Sequence, residues 1–203
     1  MLLYEDNRAP NPRRVRIFLA EKGIEVERRQ VDIMSGEHKT PEMLALNPMA
    51  RLPFLVLDDG RVIAETMAVC RYFEALHPAP ALFGRDPVDQ GLVEMWQRRV
   101  EQNLLMPVSF AFRHGNPRMA GLEAPQVPAW AEANRPRIAE ALAFLDGELG
   151  RRRFIAGDAY TVADITALCA IDFMRVLRLS LGGEHPHLGR WHGEVAARPS
   201  AAA

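Results

Sequence analysis

The sequence predicts an α/β domain over residues 1–80 followed by an all-α domain over residues 81–203. Strand and helix signals alternate up to residue 80, and an Asp-Gly step between two apolar runs predicts a β-hairpin there. A proline-rich segment, His77–Pro80, then separates this half from one in which only long helical patterns occur. Such a change of pattern favours two separately packed cores.

The first half begins with a predicted β-α-β unit. A short apolar run at Leu2–Tyr4 predicts a strand, and an irregular stretch that contains Pro10 and Pro12 follows it. Apolar residues at helical spacing then predict a helix, which ends at Gly23 because glycine readily adopts the left-handed conformation of a C-cap. Alternating side chains over residues 25–33 predict a second strand, which is parallel to the first because a helix connects them.

A hairpin and a helix complete the first half. The apolar runs Phe54–Leu57 and Val62–Ala64 flank Asp58-Asp59-Gly60-Arg61, and an Asp-Gly step suits the tight turn between antiparallel strands. A helical pattern over residues 65–76 follows directly. The predicted order of this half is therefore β-α-β and then β-β-α.

In the second half, the sequence pattern predicts helices only. Its helical patterns cover roughly residues 87–112, 127–149, 162–179 and 187–197. The clearest helix start in the chain is Thr161-Val162-Ala163-Asp164. In such a capping box the threonine hydroxyl accepts from a backbone amide in the first turn, and the aspartate accepts from the threonine amide. The box predicts a stable helix start and by itself indicates no chemistry.

Composition and charge restrict the function classes. The 203 residues are 48% hydrophobic, and 25 Lys and Arg against 26 Asp and Glu give a net charge of −1. So little net charge disfavours partners such as nucleic acid or an anionic membrane surface. The first residues lack the pattern of a secretion signal, and no apolar run is long enough to span a membrane, so neither secretion nor membrane insertion is expected. The 2 cysteines are too few for a disulfide framework or a metal cage, so we expect a cytoplasmic protein without metal.

Two motifs beside the predicted hairpin suit ligand binding. A cis bond at Leu52-Pro53 would leave the backbone of Leu52 free to pair with a peptide-like ligand, whereas a trans proline would simply begin the strand. Glu65-Thr66 opens a helix, where amides and a hydroxyl suit a carboxylate and the Glu65 carboxylate suits an ammonium. The pair fits the head group of an α-amino acid, and helix capping alone is the alternative.

Two further motifs lie in connections between elements. His38-Lys39 follows the second strand and could hold a carboxylate, although basic side chains in loops are usually only solvated. Asn11, between the first strand and the first helix, could donate its amide N–H to a thiolate, or it could be an ordinary turn asparagine. Each motif alone also fits a purely structural role, so their order and spacing carry the information.

The order of these motifs resembles that of the glutathione transferase superfamily. The run Gly36-Glu37-His38-Lys39-Thr40-Pro41-Glu42, then Leu44, Asn47-Pro48, Leu52-Pro53 and Glu65-Thr66, is similar to the glutathione site of the plant phi class. The segment from Ala156-Gly157-Asp158 to Ala167 resembles the capping-box segment of the same family, so the resemblance covers the whole chain. It implies a thioredoxin-like, glutathione-binding domain over 1–80 and a helical-bundle domain over 81–203 that contributes the electrophile pocket and dimer contacts.

The resemblance assigns the two hairpin motifs to neighbouring parts of glutathione, the co-substrate. Glu65 and Thr66 would hold the γ-glutamyl end. The backbone of Leu52 ahead of a cis Pro53 would pair with the cysteinyl unit. Arg51 stands where the family commonly has glutamine, and it would donate to the peptide while altering the charge of the site.

The two motifs in the connections correspond to the binding of the glycine end of glutathione and to the catalytic group. The resemblance implies that His38 and Lys39 hold the glycine carboxylate. The family usually places Tyr, Ser or Cys near the end of the first strand to act on the sulfur, and this chain has Ala9-Pro10-Asn11 there. Asn11 is similar to the asparagine of bacterial Nu-class and related fungal proteins. Tyr4, the nearest hydroxyl, is the other catalytic candidate, and its place in the predicted strand favours packing.

Three functions remain open from the sequence. The first is a homodimeric cytosolic glutathione transferase of the detoxification type, which activates the thiolate for attack on a small apolar electrophile. The second, favoured by Asn11, is a glutathione-dependent disulfide-bond reductase, and the third is a glutathione-binding module with low activity. The electrophile pocket would be lined by side chains of the first helix of the second half, although a plain helical core explains most of them equally well: Met106, Phe110, Phe112 and Arg113.

Overall fold

Strands and helices alternate in the first part of the chain, as the sequence predicts. A computed structural model describes residues 1–203, and their contacts divide the chain into two units, residues 1–81 with 202–203 and residues 82–201. The elements of the first unit, which also has a short 3₁₀ turn at Glu37–Lys39, are β1 (Leu2–Glu5), α1 (Pro10–Lys22), β2 (Glu27–Gln30), α2 (Pro41–Leu46), β3 (Phe54–Val56), β4 (Val62–Ala64) and α3 (Thr66–Leu76).

The four strands form one mixed sheet in the order β2-β1-β3-β4. β1 is parallel to β2 and antiparallel to β3, and β3 and β4 form the predicted antiparallel hairpin. The predicted β-α-β and β-β-α order is confirmed, and the fold is thioredoxin-like. Because of these strand directions, the carboxyl ends of β1, β2 and β4 and the amino end of β3 all lie at the same edge of the sheet.

Alternate side chains of the strands pack on opposite faces of the sheet. On one face, Tyr4 and Phe54 belong to a buried cluster with Val31, Met43 and Leu52, and the Tyr4 and Phe54 rings stack with their centroids 4.5 Å apart. Met43 comes from α2, so this helix covers that face. Leu3 and Leu55, which are fully buried, alternate with Tyr4 and Phe54 and so point to the other face.

Helix α1 begins earlier than the sequence predicts. The irregular stretch expected around Pro10 and Pro12 is the first turn of the helix. Proline is accepted there because the first-turn N–H groups have no partner within the helix and the fixed φ of proline suits its start. Gly23 ends the helix with a φ of 64°, and its N–H donates to the Ala20 carbonyl, which confirms the predicted C-cap.

The short helix α2 is absent from the prediction, although its start carries a recognisable signal. The Thr40 hydroxyl accepts from the Met43 amide at 3.4 Å, and Pro41 occupies the first helical position. This is the usual chemistry of an N-cap. Six residues are too few to establish a helical period, so the sequence pattern predicts no helix here.

The second unit contains helices only, apart from one isolated bridge between Phe154 and Gly157. None of its helices, nor any in the first unit, combines the length and apolar character needed to cross a membrane. The predicted helices are confirmed, with a π turn at Glu101–Leu105 and 3₁₀ turns at Pro117–Met119, Met174–Leu177 and Pro199–Ala202, as α4 (Pro87–Val100), α5 (Met106–Gly115), α6 (Pro128–Leu149), α7 (Val162–Phe173) and α8 (Pro186–Ala196).

The π turn interrupts what the sequence predicts as one regular helix. Pro107 lacks an N–H, and its ring would clash with the carbonyl of Asn103 in an ordinary helix, so a wider turn relieves the contact. The Asn103 side-chain amide donates to the Arg99 carbonyl at 2.9 Å. The helical ladder therefore continues from α4 into α5 with one shifted turn.

Asp164 joins three segments of the second unit. The carboxylate is fully buried and accepts from the Thr161 amide at 2.9 Å and hydroxyl at 3.1 Å, which confirms the capping box. It also accepts from the Ile155 amide at 2.9 Å and from the Trp191 indole N–H at 2.8 Å, and the sequence predicts neither contact. Burial raises the pKa of Asp164 to about 6, against the opposing effect of these donors, so at pH 7 the group is ionised.

Candidate active site

The four motifs singled out in the sequence lie in segments that adjoin strand ends at one edge of the sheet. Asn11 follows β1, His38-Lys39 follow β2, Arg51–Pro53 precede β3, and Glu65-Thr66 follow β4. The pairs Glu5–Gln30, Tyr4–Phe54 and Phe54–Ala64 lie opposite each other, which places these four strand ends side by side. We call this set of residues the sheet-edge site.

The segment before β3 presents backbone groups at this edge. The Leu52–Pro53 peptide bond is cis, which was one of the two alternatives. Leu52 is buried, and no backbone hydrogen bond of the chain uses its N–H or C=O. The preceding loop is held by the buried Asn47, whose side-chain amide donates to the Arg51 carbonyl at 2.8 Å and whose Oδ1 accepts from the Met49 amide at 3.2 Å. A pair of unused peptide groups is thereby held in a fixed place.

Glu65 has an unusual backbone at the start of α3. Its φ is 70° and its ψ is 124°, a region that costs a residue with a Cβ about 1 kcal/mol or more. Its carboxylate is exposed and makes no hydrogen bond or ion pair within the chain. Thr66 follows it and is buried. The arrangement offers one negative charge and, next to it, the amides and hydroxyl of a helix start.

His38 is a buried side chain without partners. It is 4% exposed, and neither ring nitrogen has a hydrogen-bond partner within the chain. Burial lowers the pKa of His38, and the nearby positive charges of Lys39 and Arg51 lower it further against the opposing charge of Asp6. The ring is therefore neutral at pH 7, with one N–H to donate. Buried polar atoms are rarely left unsatisfied, so this group is suited to an acceptor supplied by a ligand.

An ionic network that the sequence analysis missed ties together the connections after β1 and β2. Arg8 holds the buried Asp6 carboxylate with two hydrogen bonds of 2.6 and 2.9 Å and also pairs with Asp32. Asp6 accepts in addition from the Ile33 amide at 3.2 Å. Burial alone raises the pKa of Asp6, but the hydrogen bonds from Arg8 and Ile33 outweigh it and the pKa lies below its usual value.

The two catalytic candidates have different surroundings. Asn11 lies half-buried in the first turn of α1, where its Oδ1 accepts from Nη1 of Arg14 at 3.1 Å. Tyr4 is 7% exposed and is packed between the Phe54 ring and the Arg29 guanidinium, which lies 5.3 Å from the Tyr4 ring centroid. Asn11 is thus at the sheet edge, whereas Tyr4 is part of the core.

The four residues expected to line an electrophile pocket point in different directions within the second unit. Phe112 meets Phe173 edge to face at 5.5 Å and borders a cavity of about 440 Å³. Phe110 packs instead near Trp130 of α6, with 6.0 Å between ring centroids. Met106 is 41% exposed, and the Arg113 guanidinium lies 3.8 Å from the carboxylate of Glu123. Of the four residues, only Phe112 borders this cavity.

Both parts of the chain match known family models. Residues 9–76 match the model described as glutathione S-transferase, N-terminal domain, and residues 108–199 match the one described as glutathione S-transferase, C-terminal domain. The chain belongs to the glutathione S-transferase family. It is an enzyme of that family, and the resemblance inferred from the four motifs is confirmed.

Individual relatives match over nearly the full length of the enzyme. It is 36% identical to a Saccharomyces cerevisiae protein named Glutathione S-transferase 2, over 98% of this chain and 87% of that protein. It is 31% identical to Glutathione S-transferase 3 of Zea mays, over 98% of this chain and 90% of that protein. The crystal structure of a glutathione S-transferase domain-containing protein from Marinobacter aquaeolei VT8 superposes with a TM-score of 0.95 at 38% identity, covering 98% of this chain and 99% of that one.

Proposed function

We propose that the enzyme binds glutathione in the sheet-edge site and activates its thiolate for attack on a small apolar electrophile. The observation that carries this proposal is the buried, unpartnered His38 ring near the charges of Lys39 and Arg51. Glu65, whose carboxylate has no partner, supplies the opposite charge at the same sheet edge. A ligand with an anionic end and an ammonium group satisfies both.

Each part of glutathione then has a proposed partner. The glycine carboxylate accepts from His38 and Lys39, and the charge-assisted hydrogen bonds compensate for the burial of the imidazole. The cysteinyl unit pairs with the unused N–H and C=O of Leu52. The γ-glutamyl ammonium pairs with Glu65, and its carboxylate accepts from Thr66 and the first amides of α3.

The chemistry requires only that the thiol ionise. A free thiol has a pKa of about 8.5, and each unit of decrease raises the thiolate fraction about tenfold for about 1.4 kcal/mol of interaction. We propose that Asn11 donates its Nδ2 N–H to the sulfur, with Tyr4 as the second candidate. The thiolate forms a bond to the electrophilic carbon while the leaving group departs with its electron pair and the thiol proton passes to solvent.

A disulfide-bond reductase is the second candidate, and the asparagine at the catalytic position favours it. In that reaction the glutathione thiolate bonds to one sulfur of a substrate disulfide and the other sulfur leaves as a thiolate. The protein's own Cys70 and Cys169 are buried, which supports glutathione as the only thiol in either reaction. We further propose that the enzyme is cytoplasmic and forms a homodimer. Sedimentation measures whether the dimer forms.

Calorimetry and two assays test these proposals. We expect glutathione to bind and chlorodinitrobenzene to be turned over faster than hydroxyethyl disulfide. The reverse order of rates would favour the reductase. Binding with both assays blank would favour a glutathione-binding module, and no binding by calorimetry would contradict all three functions.

Asn11→Ala should lower kcat by about 10- to 100-fold, because one hydrogen bond to a charged group contributes about 1.5–3 kcal/mol. KM for glutathione should change little, since the ends of the peptide are held elsewhere. Steady-state kinetics provides the measurement. Asn7→Ala, an exposed asparagine in the turn before α1, is the control and should retain the parental kcat. Equal rates for both variants would shift the assignment to Tyr4 or to backbone amides.

Glutathione should raise the pKa of His38. In the free protein, burial keeps this pKa below its usual value, and a carboxylate partner stabilises the imidazolium. Affinity should therefore increase as the pH falls into the window between the free and the bound pKa, with uptake of a proton. Titration of the His38 ring by NMR, without and with glutathione, gives the free and the bound pKa. The chain has 6 histidines, and those other than His38 serve as internal references. An unchanged His38 titration would place the glycine carboxylate elsewhere.

A further inference from the structure

We infer that Arg14 is a positioning residue that decides which end of the Asn11 amide faces the glutathione sulfur. The inference rests on the proposed function, because it concerns the group proposed to stabilise the thiolate. It assigns a purpose to a buried arginine that the family resemblance leaves without one.

The contact between the two side chains has only one chemically allowed direction. Arg14 is 1% exposed, and its Nη1 lies 3.1 Å from Oδ1 of Asn11. A guanidinium donates and never accepts, so the atom that faces it must be the amide oxygen. The Nδ2 group, with its N–H donors, consequently points away from Arg14.

The start of α1 is poor in backbone donors, so the orientation of the Asn11 amide determines what this turn offers to a thiolate. Pro10 and Pro12 have no N–H, and the Ala9 amide already donates to the Asp6 carbonyl at 3.1 Å. Of the first-turn backbone amides, only that of Asn11 remains for a ligand. A thiolate above this turn therefore depends on Asn11 for its hydrogen bonds more than it would at an ordinary helix start.

Without the guanidinium, the amide could turn over. Its oxygen and nitrogen ends have nearly the same shape, so rotation by half a turn exchanges a donor for an acceptor. An oxygen turned toward the sulfur repels a thiolate and favours the protonated thiol. Arg14 excludes this orientation, and because it is buried and makes at least one further interaction, it is itself held in place.

The pKa of the bound glutathione thiol, read from the ultraviolet absorbance of the thiolate, tests the inference. Arg14→Gln should raise this pKa by about one unit and lower kcat about tenfold, with KM within about twofold, since glutamine can present either an oxygen or a nitrogen to Asn11. Arg14→Lys, which can only donate, should recover most of the loss. Arg13→Gln, the same change on the neighbouring residue, controls for the lost charge and should leave the thiol pKa where it was.

A double variant separates the inference from the proposed function. In the Asn11→Ala background, Arg14→Gln should cause no further rise in the thiol pKa. An additive rise would mean that Arg14 acts through its own charge and would overturn the positioning role while leaving the function intact. If Asn11→Ala itself leaves the thiol pKa unchanged although glutathione binds, the role of Asn11 and the inference fall together.

A measurement on the unmodified protein keeps the inference open to refutation if the Arg14 variants do not fold. The side-chain amide protons of Asn11 should show nuclear Overhauser contacts to the cysteinyl protons of bound glutathione. Contacts from those protons to the Arg14 side chain alone would show the opposite orientation and would refute the inference.

Discussion

Asp164→Ala should lower the free energy of unfolding by about 3–5 kcal/mol, which is in the range of the most damaging single substitutions. Removal of the carboxylate leaves the buried amides of Ile155 and Thr161 and the indole N–H of Trp191 without an acceptor. Each unsatisfied buried donor costs about 1–3 kcal/mol. Denaturant unfolding, followed by circular dichroism at pH 7, measures the loss.

Asp164→Asn should lower the free energy of unfolding almost as much as Asp164→Ala, although asparagine has nearly the same shape as aspartate. Each of the two carboxylate oxygens accepts from two donors. Either orientation of an asparagine amide therefore places its own N–H group against N–H or O–H donors. Asp158→Ala removes the same charge from an exposed position close by and should change stability by less than about 0.5 kcal/mol. Similar midpoints for Asp164→Ala and Asp158→Ala would refute the structural role given to Asp164.

Glu65→Ala should weaken glutathione binding by about 10- to 100-fold, because a charge-assisted hydrogen bond contributes about 1.5–3 kcal/mol. The substitution leaves the ligand ammonium unpaired at the sheet edge. Alanine keeps a Cβ, so the cost of the positive φ at this position is the same before and after, and the fold should be unaffected. Isothermal calorimetry with glutathione gives the dissociation constants.

Two further variants show whether the charge of Glu65 or its position matters. Glu65→Gln keeps an acceptor without the charge and should fall between the parent and Glu65→Ala. Glu27→Ala removes an exposed carboxylate from the start of β2, at the opposite end of the sheet, and should bind glutathione as the parent does. Equal affinities for Glu65→Ala and Glu27→Ala would remove Glu65 from the proposed site.

The elements that could be predicted from the sequence are those with strong local signals. The Asp59-Gly60 turn, the Gly23 C-cap and the capping box at Thr161 each involve residues close together in the chain, and all three are present. Helix α2 and the π turn were missed because one is too short to show a period and the other depends on how Pro107 fits into a longer helix.

Some features of the candidate site could likewise be predicted from the sequence, and others could not. The resemblance predicts that the four motifs bind one ligand, and their location at one sheet edge follows from the strand order and direction that the structure shows. The burial of His38 and the contacts of Arg14 with Asn11 and of Arg8 with Asp32 could not be predicted, because they depend on the packing of side chains in three dimensions. Asp164 shows both cases, since its cap is local and its bond to Trp191 joins distant segments.

The π turn at Glu101–Leu105 determines the direction in which the side chains of α5 point around the helix axis. Each residue of an α-helix advances the chain by about 100° around the axis. If the same residues were wound as a regular α-helix, Phe110 and Phe112 would rotate by about that angle, away from the neighbours each now faces. Loss of one residue at this turn would instead restore regular winding and leave both rings near their present directions, so the wider turn lets the long helix carry an additional residue without exchanging the aromatic lining of the bundle.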